Sequence, residues 1–121
     1  MRLWLLILFL SLLAAGCTAP KQFRWGNYED SLYDFYEDPS NASEFKQSLR
    51  GVINASSSEH KIAPGIFAEY GYLLYRESQY DQTLSFFQKE KAAWPESAPF
   101  MDKFISTIDA KRVATSTNNT N

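Results

Sequence analysis

The sequence predicts an all-α fold of about five helices that follows an N-terminal signal peptide. Apolar residues recur three and four positions apart in several segments, which places them on one face of a helix. Four of the five prolines lie where such a segment begins or ends, and no stretch alternates between apolar and polar residues as a strand does. A chain of 121 residues has room for one domain with its own core.

The composition restricts the classes of function. Apolar residues make up 45% of the chain and aromatic residues 16%, which is typical of a globular domain rather than a disordered one. The formal net charge is −2, so the chain lacks the excess of lysine and arginine that binding to nucleic-acid phosphates requires. We therefore expect no nucleic-acid partner. A single cysteine excludes an internal disulfide, so the fold must depend on packing.

The N-terminal segment has the features of a signal peptide. Arg2 precedes an apolar run from Leu3 to Leu13, which has the length of a signal-peptide core and is shorter than the roughly 20 residues of a membrane-spanning helix. The run ends in small residues, Ala14 to Gly16, as a signal-peptidase site requires, and Cys17 follows directly. We predict a signal peptide over residues 1–16, with cleavage between Gly16 and Cys17.

Cys17 and the residues before it resemble the bacterial lipobox, in which the cysteine thiol receives a diacylglyceryl group before cleavage. The resemblance implies a lipoprotein with more than one acyl chain, such as palmitate, which is enough for stable anchoring in a membrane. Ala14 departs from the pattern, because leucine, valine or isoleucine is more common there, and the alternative is a chance cysteine in an ordinary secretory leader. Thr18, in place of aspartate, implies sorting to the outer membrane of a Gram-negative cell, facing the periplasm, with residues 17–22 as a polar tether.

The remaining chain divides into amphipathic segments, which we assign to one helical domain over residues 23–112. The predicted helices are Asn27 to Tyr36, Ser43 to Ala55, one that Pro64 opens, Asp81 to Ala93, and one that Pro99 opens. The first apolar stripe contains Leu32 and Tyr36, and the last contains Phe100 and Phe104. The polar stretch 56–61 is predicted to be a loop, and the Thr- and Asn-rich segment 113–121 a disordered tail.

Two of these helices share a sequence pattern, because the stretch from Gly26 to Phe35 aligns with the stretch from Ser78 to Phe87. In the wider segment from Pro64 to Ser97, a small residue, an aromatic residue and a closing proline have the spacing of a tetratricopeptide repeat. The segment resembles one such repeat, a helical hairpin of about 34 residues. The positions that would pack this hairpin are Gly71, Leu74, Tyr80, Leu84, Phe87 and Pro95.

The segment departs from that repeat at several positions. Ser78 replaces the usual glycine of the turn, and Thr83 and Glu90 stand where alanine is usual. The alternative is an ordinary helical hairpin that shares the spacing by chance. In a repeat array, stacked hairpins present a concave groove to a peptide or to another protein. Fewer than two repeats are visible, so we expect either that the last helix caps the array or that a partner completes it.

The start of the folded segment carries a second resemblance, in the motifs Phe23, Trp25-Gly26, Tyr28-Glu29 and Leu32-Tyr33. Together with the lipobox and the hairpin, they resemble a family of small Gram-negative lipoproteins classified as a domain of unknown function (number 4810), over most of residues 13–112. Members of that family are often encoded beside a lipoprotein similar to the curli secretion channel, together with another small lipoprotein. The resemblance therefore implies a partner in the envelope, and it supplies no catalytic residues.

No constellation typical of catalysis or of metal binding is visible. Asp30 and Asp34 lie one helical turn apart and could share a cation, but the glycine turn and ligand spacing of a calcium loop are absent, so a solvated helix face is the preferred interpretation. His60 is the only histidine, and it stands in a polar stretch without companions at the spacing of a zinc site. We expect neither a cofactor nor a metal ion, and no enzymatic activity.

The abundant aromatic residues have two interpretations. At helical spacing most belong in the core, and we place Trp25, Tyr28 and Tyr36 there. Tyr33 and Tyr72 fall outside the main stripes, so we expect them to be exposed and to form an interaction surface. Exposed aromatic rings could instead stack on sugars. The leading hypothesis is an accessory lipoprotein that acts as a protein-binding scaffold in secretion or surface assembly, and the alternative is a glycan- or peptidoglycan-binding lipoprotein.

Overall fold

The computed structural model describes residues 22–56 and 61–118, and these ranges contain five α-helices joined by short turns. The predicted all-α class is therefore confirmed. Within the described ranges, the one β-type contact is an isolated bridge between Phe23 and Lys61. The helices are α1 (Tyr28–Glu37), α2 (Ala42–Ala55), α3 (Ile66–Arg76), α4 (Tyr80–Ala93) and α5 (Ala98–Asn118).

The predicted leader lies outside the described residues. This applies to the signal peptide, to the cleavage site between Gly16 and Cys17, and to the tether as far as residue 21; His60 also lies outside. Among the helices of residues 22–56 and 61–118, none is long and apolar enough to cross a membrane.

Proline and left-handed residues set the helix ends. Asp38 ends α1 in an extended conformation, with φ −135° and ψ 103°, as expected of a residue that precedes proline, and its side chain accepts a hydrogen bond of 2.9 Å from the backbone N–H of Ser40. Gly65 adopts a left-handed φ of 91° immediately before α3. Apart from the C-terminal end of α5, the ends predicted from the sequence therefore lie close to the observed ones.

The turn between α3 and α4 closes a helical hairpin. Ser78 has a positive φ of 61° and donates its backbone N–H to the carbonyl of Tyr75, at 2.9 Å. Gln79 donates its N–H to the carbonyl of Leu74, at 3.0 Å. These two bonds form a Schellman motif, with serine in the left-handed position that glycine usually occupies. The backbone therefore reverses within three residues, and α4 packs against α3.

Each helix packs against the next one in the chain, and the core has two parts. The larger part lies between α2 and α3, where Leu49 is fully buried and Tyr70, Leu73 and Leu74 are nearly so. The smaller part lies between α4 and α5 and is made of buried Phe87, Met101 and Ile108. Burial of these side chains provides the main stabilisation of a fold that has no disulfide.

The C-terminal segment differs from its prediction. The sequence predicted a disordered tail from Val113, but α5 continues to Asn118, so that prediction is wrong for residues 113–118. Ion pairs of the residue before it stabilise this extension. Arg112 forms ion pairs with Asp81 of α4, at 2.8 Å, and with Asp109, at 2.6 Å. In the last turns, the side-chain hydroxyl groups donate hydrogen bonds to backbone carbonyls four residues earlier. These hydroxyl groups therefore find acceptors within the helix, at Thr115, Ser116 and Thr117.

Candidate functional site

The hairpin of α3 and α4 is packed tightly at one glycine. A Cβ atom placed on Gly71 would lie 2.8 Å from Cε1 and 2.9 Å from Cδ1 of Phe87, and 3.2 Å from Cβ of Phe86. Side chains do not tolerate such distances, so the two helices are closer here than any residue with a side chain would allow. This is the close approach that the sequence predicted for Gly71.

The other positions predicted to pack the hairpin lie at different depths. Leu74 is buried in the larger part of the core, whereas Leu84 is half-buried against the smaller part. Tyr80 opens α4 and places its ring centroid 6.0 Å from that of Tyr75 on α3. Pro95 is exposed and begins the single 3-10 turn that separates α4 from α5.

The three odd-numbered helices surround an apolar groove of about 330 Å³. Its walls carry Leu32 of α1, Tyr72 of α3, and Phe100 and Phe104 of α5. These four side chains are between 37% and 62% exposed, which is high for residues of this size and polarity. Large apolar side chains gathered on one surface commonly mark a site where another molecule binds.

The floor of the groove is formed by buried side chains of α2, α4 and α5. Phe45 of α2 and Phe87 of α4 reach it from below, together with Met101 of α5, and all three are buried. Phe45 stacks on Phe35 with ring centroids 5.2 Å apart, and Phe87 meets Phe104 edge to face at 6.0 Å. The exposed walls thus pack on a buried and largely aromatic floor.

The two tyrosines predicted to be exposed lie on different surfaces. Tyr72 is 51% exposed and lines the groove. Tyr33 is 60% exposed and lies on α1 outside the groove lining, where its hydroxyl donates a 2.8 Å hydrogen bond to Oε1 of Glu37. The structure therefore assigns the groove to Tyr72 and the adjoining face of α1 to Tyr33.

Several side chains predicted to belong to apolar stripes are not buried. Tyr36 is 83% exposed and Trp25 39%, so their placement in the core is wrong. Leu32, Phe100 and Phe104 were assigned to buried faces and instead line the groove. The reason is position in the array. α1 and α5 are the terminal helices, so each has a chain neighbour on one side only, and that neighbour cannot cover the full width of the stripe.

A hydrogen bond ties the first helix to the third beside the groove. The hydroxyl of Tyr28 on α1 donates to both carboxylate oxygens of Glu69 on α3, at 2.9 Å. Burial raises the pKa of Glu69 above its usual range; the bond from Tyr28 opposes this shift, and the negative charge of Glu90 adds to it. Burial and the adjacent carboxylate also raise the pKa of Tyr28, which stays protonated as the donor.

Sequence reasoning missed the structural role of Glu90. Its carboxylate is 2% exposed, and Oε1 accepts a 2.7 Å hydrogen bond from the backbone N–H of Gly65, at the start of α3. Glu90 therefore caps α3 from α4, and the favourable end of the helix dipole faces its charge. The substitution of glutamate for the usual alanine of the repeat was the only signal in the sequence. Among the described residues, Oε2 of Glu90 and the indole N–H of Trp94 are buried without a partner.

A second, more polar groove of about 900 Å³ lies between the segment before α1 and the face of α2. Trp25 lines it beside Arg24 and Asn27, and the hydroxyl of Ser48 donates a 3.0 Å hydrogen bond to Oδ1 of Asn27. The indole ring is tilted against Tyr28, with centroids 5.2 Å apart. An exposed aromatic ring thus lies next to polar side chains in this groove.

The described residues contain no group of three histidine, cysteine, aspartate or glutamate side chains that could hold a metal ion. Asp30 and Asp34 are both exposed on α1, as a solvated helix face would be.

One comparison with known proteins identifies a family. The model of the family described as "Domain of unknown function (DUF4810)" matches residues 22–104. No curated protein and no solved structure matches the chain. The matched range contains all of α1 to α4 and the part of α5 that lines the apolar groove.

Proposed function

The chain belongs to the DUF4810 family, whose description gives no function. From the apolar groove, we propose that the protein is a lipid-anchored accessory protein that binds another envelope protein. In this proposal the chain is a scaffold rather than an enzyme. Its helical domain binds the partner, and its lipidated N-terminus keeps the complex on the membrane.

The observation that carries this proposal is the groove between α1, α3 and α5. Tyr72, Phe100 and Phe104 expose large apolar surface above a buried aromatic floor. Burial of apolar surface contributes about 25 cal/mol per Å², so an occupant that covered these side chains would gain several kcal/mol. A monomer that leaves them in water gains none of this free energy.

The anchor rests on the sequence around Cys17. Small residues before the cysteine and the short apolar run support lipidation and cleavage at Gly16, and Thr18 supports the outer membrane with the domain facing the periplasm. The proposed partner is an envelope protein, and a lipoprotein similar to the curli secretion channel is the first candidate, because of the family resemblance. The process served would then be secretion or surface assembly.

The test is a crosslinked pull-down of the full-length protein from solubilised envelopes, read by mass spectrometry. Phe100→Ser should remove the partner, whereas Val113→Ser should retain it. The two residues form a matched pair, because both are exposed apolar residues of α5, at 62% and 57%, and only Phe100 lines the groove. Equal recovery in both variants would remove the groove from the proposal.

Cys17→Ser separates anchoring from binding. We expect the variant to leave the membrane fraction and still to bind the partner, because the groove lies wholly within residues 32–104. A variant that stays in the membrane fraction would contradict the proposed anchor without affecting the groove.

Glycan binding is the second candidate, and the polar groove around Trp25 favours it. Sedimentation of the protein with purified sacculi tests it directly. Binding that Trp25→Ala abolishes and Tyr72→Ala leaves intact would favour a peptidoglycan-binding role over the scaffold. No sedimentation with sacculi would dismiss it.

A further inference from the structure

One wall of the apolar groove is an acidic helix. α1 contains four acidic residues and no basic residue within Tyr28–Glu37, and Asp38 follows directly. Among the described residues, none of these carboxylates takes part in an ion pair, whereas ion pairs elsewhere join Lys46 to Glu77 and Lys91 to Asp102. Among the described residues, Arg76 of α3 does lie against α1, with its guanidinium carbon 5.6 Å from the ring centroid of Phe35, but it forms no ion pair with these carboxylates.

The acidic residues of α1 are not equivalent with respect to the groove. Glu29 lies one turn before Leu32, so the two side chains are neighbours on the same side of the helix. Asp30 and Asp34 lie on the side of α1 that is opposite to Leu32, because each is two positions from it. Glu29 does not line the groove itself, but of these three carboxylates it is the one beside Leu32, so it is the one that the flank of an occupant would meet.

The walls and the available backbone restrict the form of the occupant. The groove is lined by helices, and the described residues contain no strand whose free edge could pair with an extended peptide. An amphipathic helix suits this groove, because it satisfies its own backbone hydrogen bonds, whereas an extended peptide would find polar side chains only at Glu69 and Tyr72 among the lining residues. Its own flank should carry a charge opposite to that of α1, because charge complementarity orients such complexes.

We propose that the apolar groove binds an amphipathic helix of the partner protein, with its apolar side chains against Leu32, Tyr72 and Phe104 and a lysine or arginine beside Glu29. This inference rests on the proposed scaffold function, since it names the chemistry of the partner at the same groove. It assigns different roles to the walls: α3 and α5 supply apolar contact, and α1 sets the direction in which the helix lies.

The experiment is photocrosslinking of the full-length protein in intact cells. p-Benzoyl-phenylalanine replaces Tyr72 in the groove, or Ser85 on the exposed face of α4 as a control. The crosslinked peptide is identified by mass spectrometry. We expect a crosslink from position 72, and none from position 85, to a segment with apolar residues three and four positions apart and with lysine or arginine on one flank.

A matched pair of variants tests the role of Glu29. Glu29→Gln should lower the yield of the crosslink from position 72 by about two- to fivefold, which is the effect of one exposed ion pair. Asp30→Asn removes the same charge from the same turn of α1 and should leave the yield unchanged. Equal effects of the two variants would overturn the assignment of Glu29.

The other outcomes separate this inference from the scaffold function. A crosslink to an acidic or uncharged segment of a partner would overturn the inference and leave the scaffold in place. A crosslink to a second copy of this chain would overturn it in favour of self-association. No protein crosslinked at position 72, with the pull-down also empty, would overturn both.

Discussion

The approach of α3 to α4 at Gly71 can be tested by adding a single methyl group. In Gly71→Ala, the new Cβ would lie 2.8 Å from the ring of Phe87, which is 4% exposed and therefore has little room to move. Overpacking of this kind costs about 1–3 kcal/mol, and the higher helix propensity of alanine returns up to about 1 kcal/mol. We expect a net loss of about 1–2 kcal/mol, or roughly 4–15 °C in melting temperature for a domain of this size.

Gly51 provides the matched control. It also lies within a helix, α2, but nothing is found within 4 Å of the Cβ that a substitution would add. Gly51→Ala should therefore stabilise the protein by about 0.5–1 kcal/mol through helix propensity alone. The prediction is therefore that the two substitutions change the free energy of unfolding in opposite directions.

The assay is urea unfolding followed by circular dichroism at neutral pH, with Gly71→Ala, Gly51→Ala, Phe87→Leu, and Gly71→Ala combined with Phe87→Leu. The combination should recover part of the loss relative to the sum of the two single changes, because the smaller side chain relieves the clash. If Gly71→Ala stabilises the protein as Gly51→Ala does, the close approach of α3 and α4 is not present in solution.

Three further predictions concern the hairpin and its polar contacts. Ser78→Gly should raise the free energy of unfolding by up to about 1 kcal/mol, because serine adopts a φ of 61° in the turn; an unchanged urea midpoint would contradict the left-handed assignment. Glu90→Ala should lower it by about 1–3 kcal/mol, because the N–H of Gly65 loses its acceptor, whereas Glu90→Gln retains an oxygen there and should cost less. Similar losses in both variants would show that the charge, and not the hydrogen bond, is what matters. The third concerns pH. The folded-state pKa of Glu69 is raised above that of the unfolded chain, so its stabilising contribution is fully present in acid and is lost as the pH rises through the folded-state pKa. The difference in unfolding free energy between the unaltered protein and Glu69→Gln should thus shift in favour of the unaltered protein as the pH falls through the folded-state pKa of Glu69. A difference that is constant with pH would refute the shift.

Local signals in the sequence were sufficient to place the helices. Proline and apolar spacing act over a few residues, so α1 was predicted from Asn27 to Tyr36 and is observed at Tyr28–Glu37. The small residue needed at Gly71 was also visible, because a repeat pattern contains information about which helices meet. Features that depend on distant partners were not accessible. The helix beyond Val113 is stabilised in part by the ion pair of Arg112 with Asp81, which is 31 residues away.

The apolar faces that line the groove could be predicted from the sequence, but their exposure could not, for a related physical reason. Periodicity identifies which face of a helix is apolar, but it does not reveal whether a neighbour covers that face. Leu32 and Phe104 have the spacing of core residues, and their exposure follows from the terminal positions of α1 and α5 in the array. The burial of the Glu90 carboxylate could not be predicted from the sequence either. The backbone N–H that donates a hydrogen bond to it belongs to Gly65, 25 residues earlier.

The part of the chain that matches the family model includes the whole apolar groove but not the end of α5. The groove is lined by residues from Leu32 to Phe104, and the match covers residues 22–104, so every lining residue lies within it. The remainder of α5 contributes Ile108 to the smaller part of the core and Arg112 to an ion pair, and lies outside the match. If the groove is the functional surface, shortening α5 after Ile108 should reduce stability through the loss of the Arg112 contacts and leave partner binding intact. The part of α5 that lines the groove would then determine partner binding. The part after it, whose side chains contact α4, would contribute to the free energy of unfolding alone.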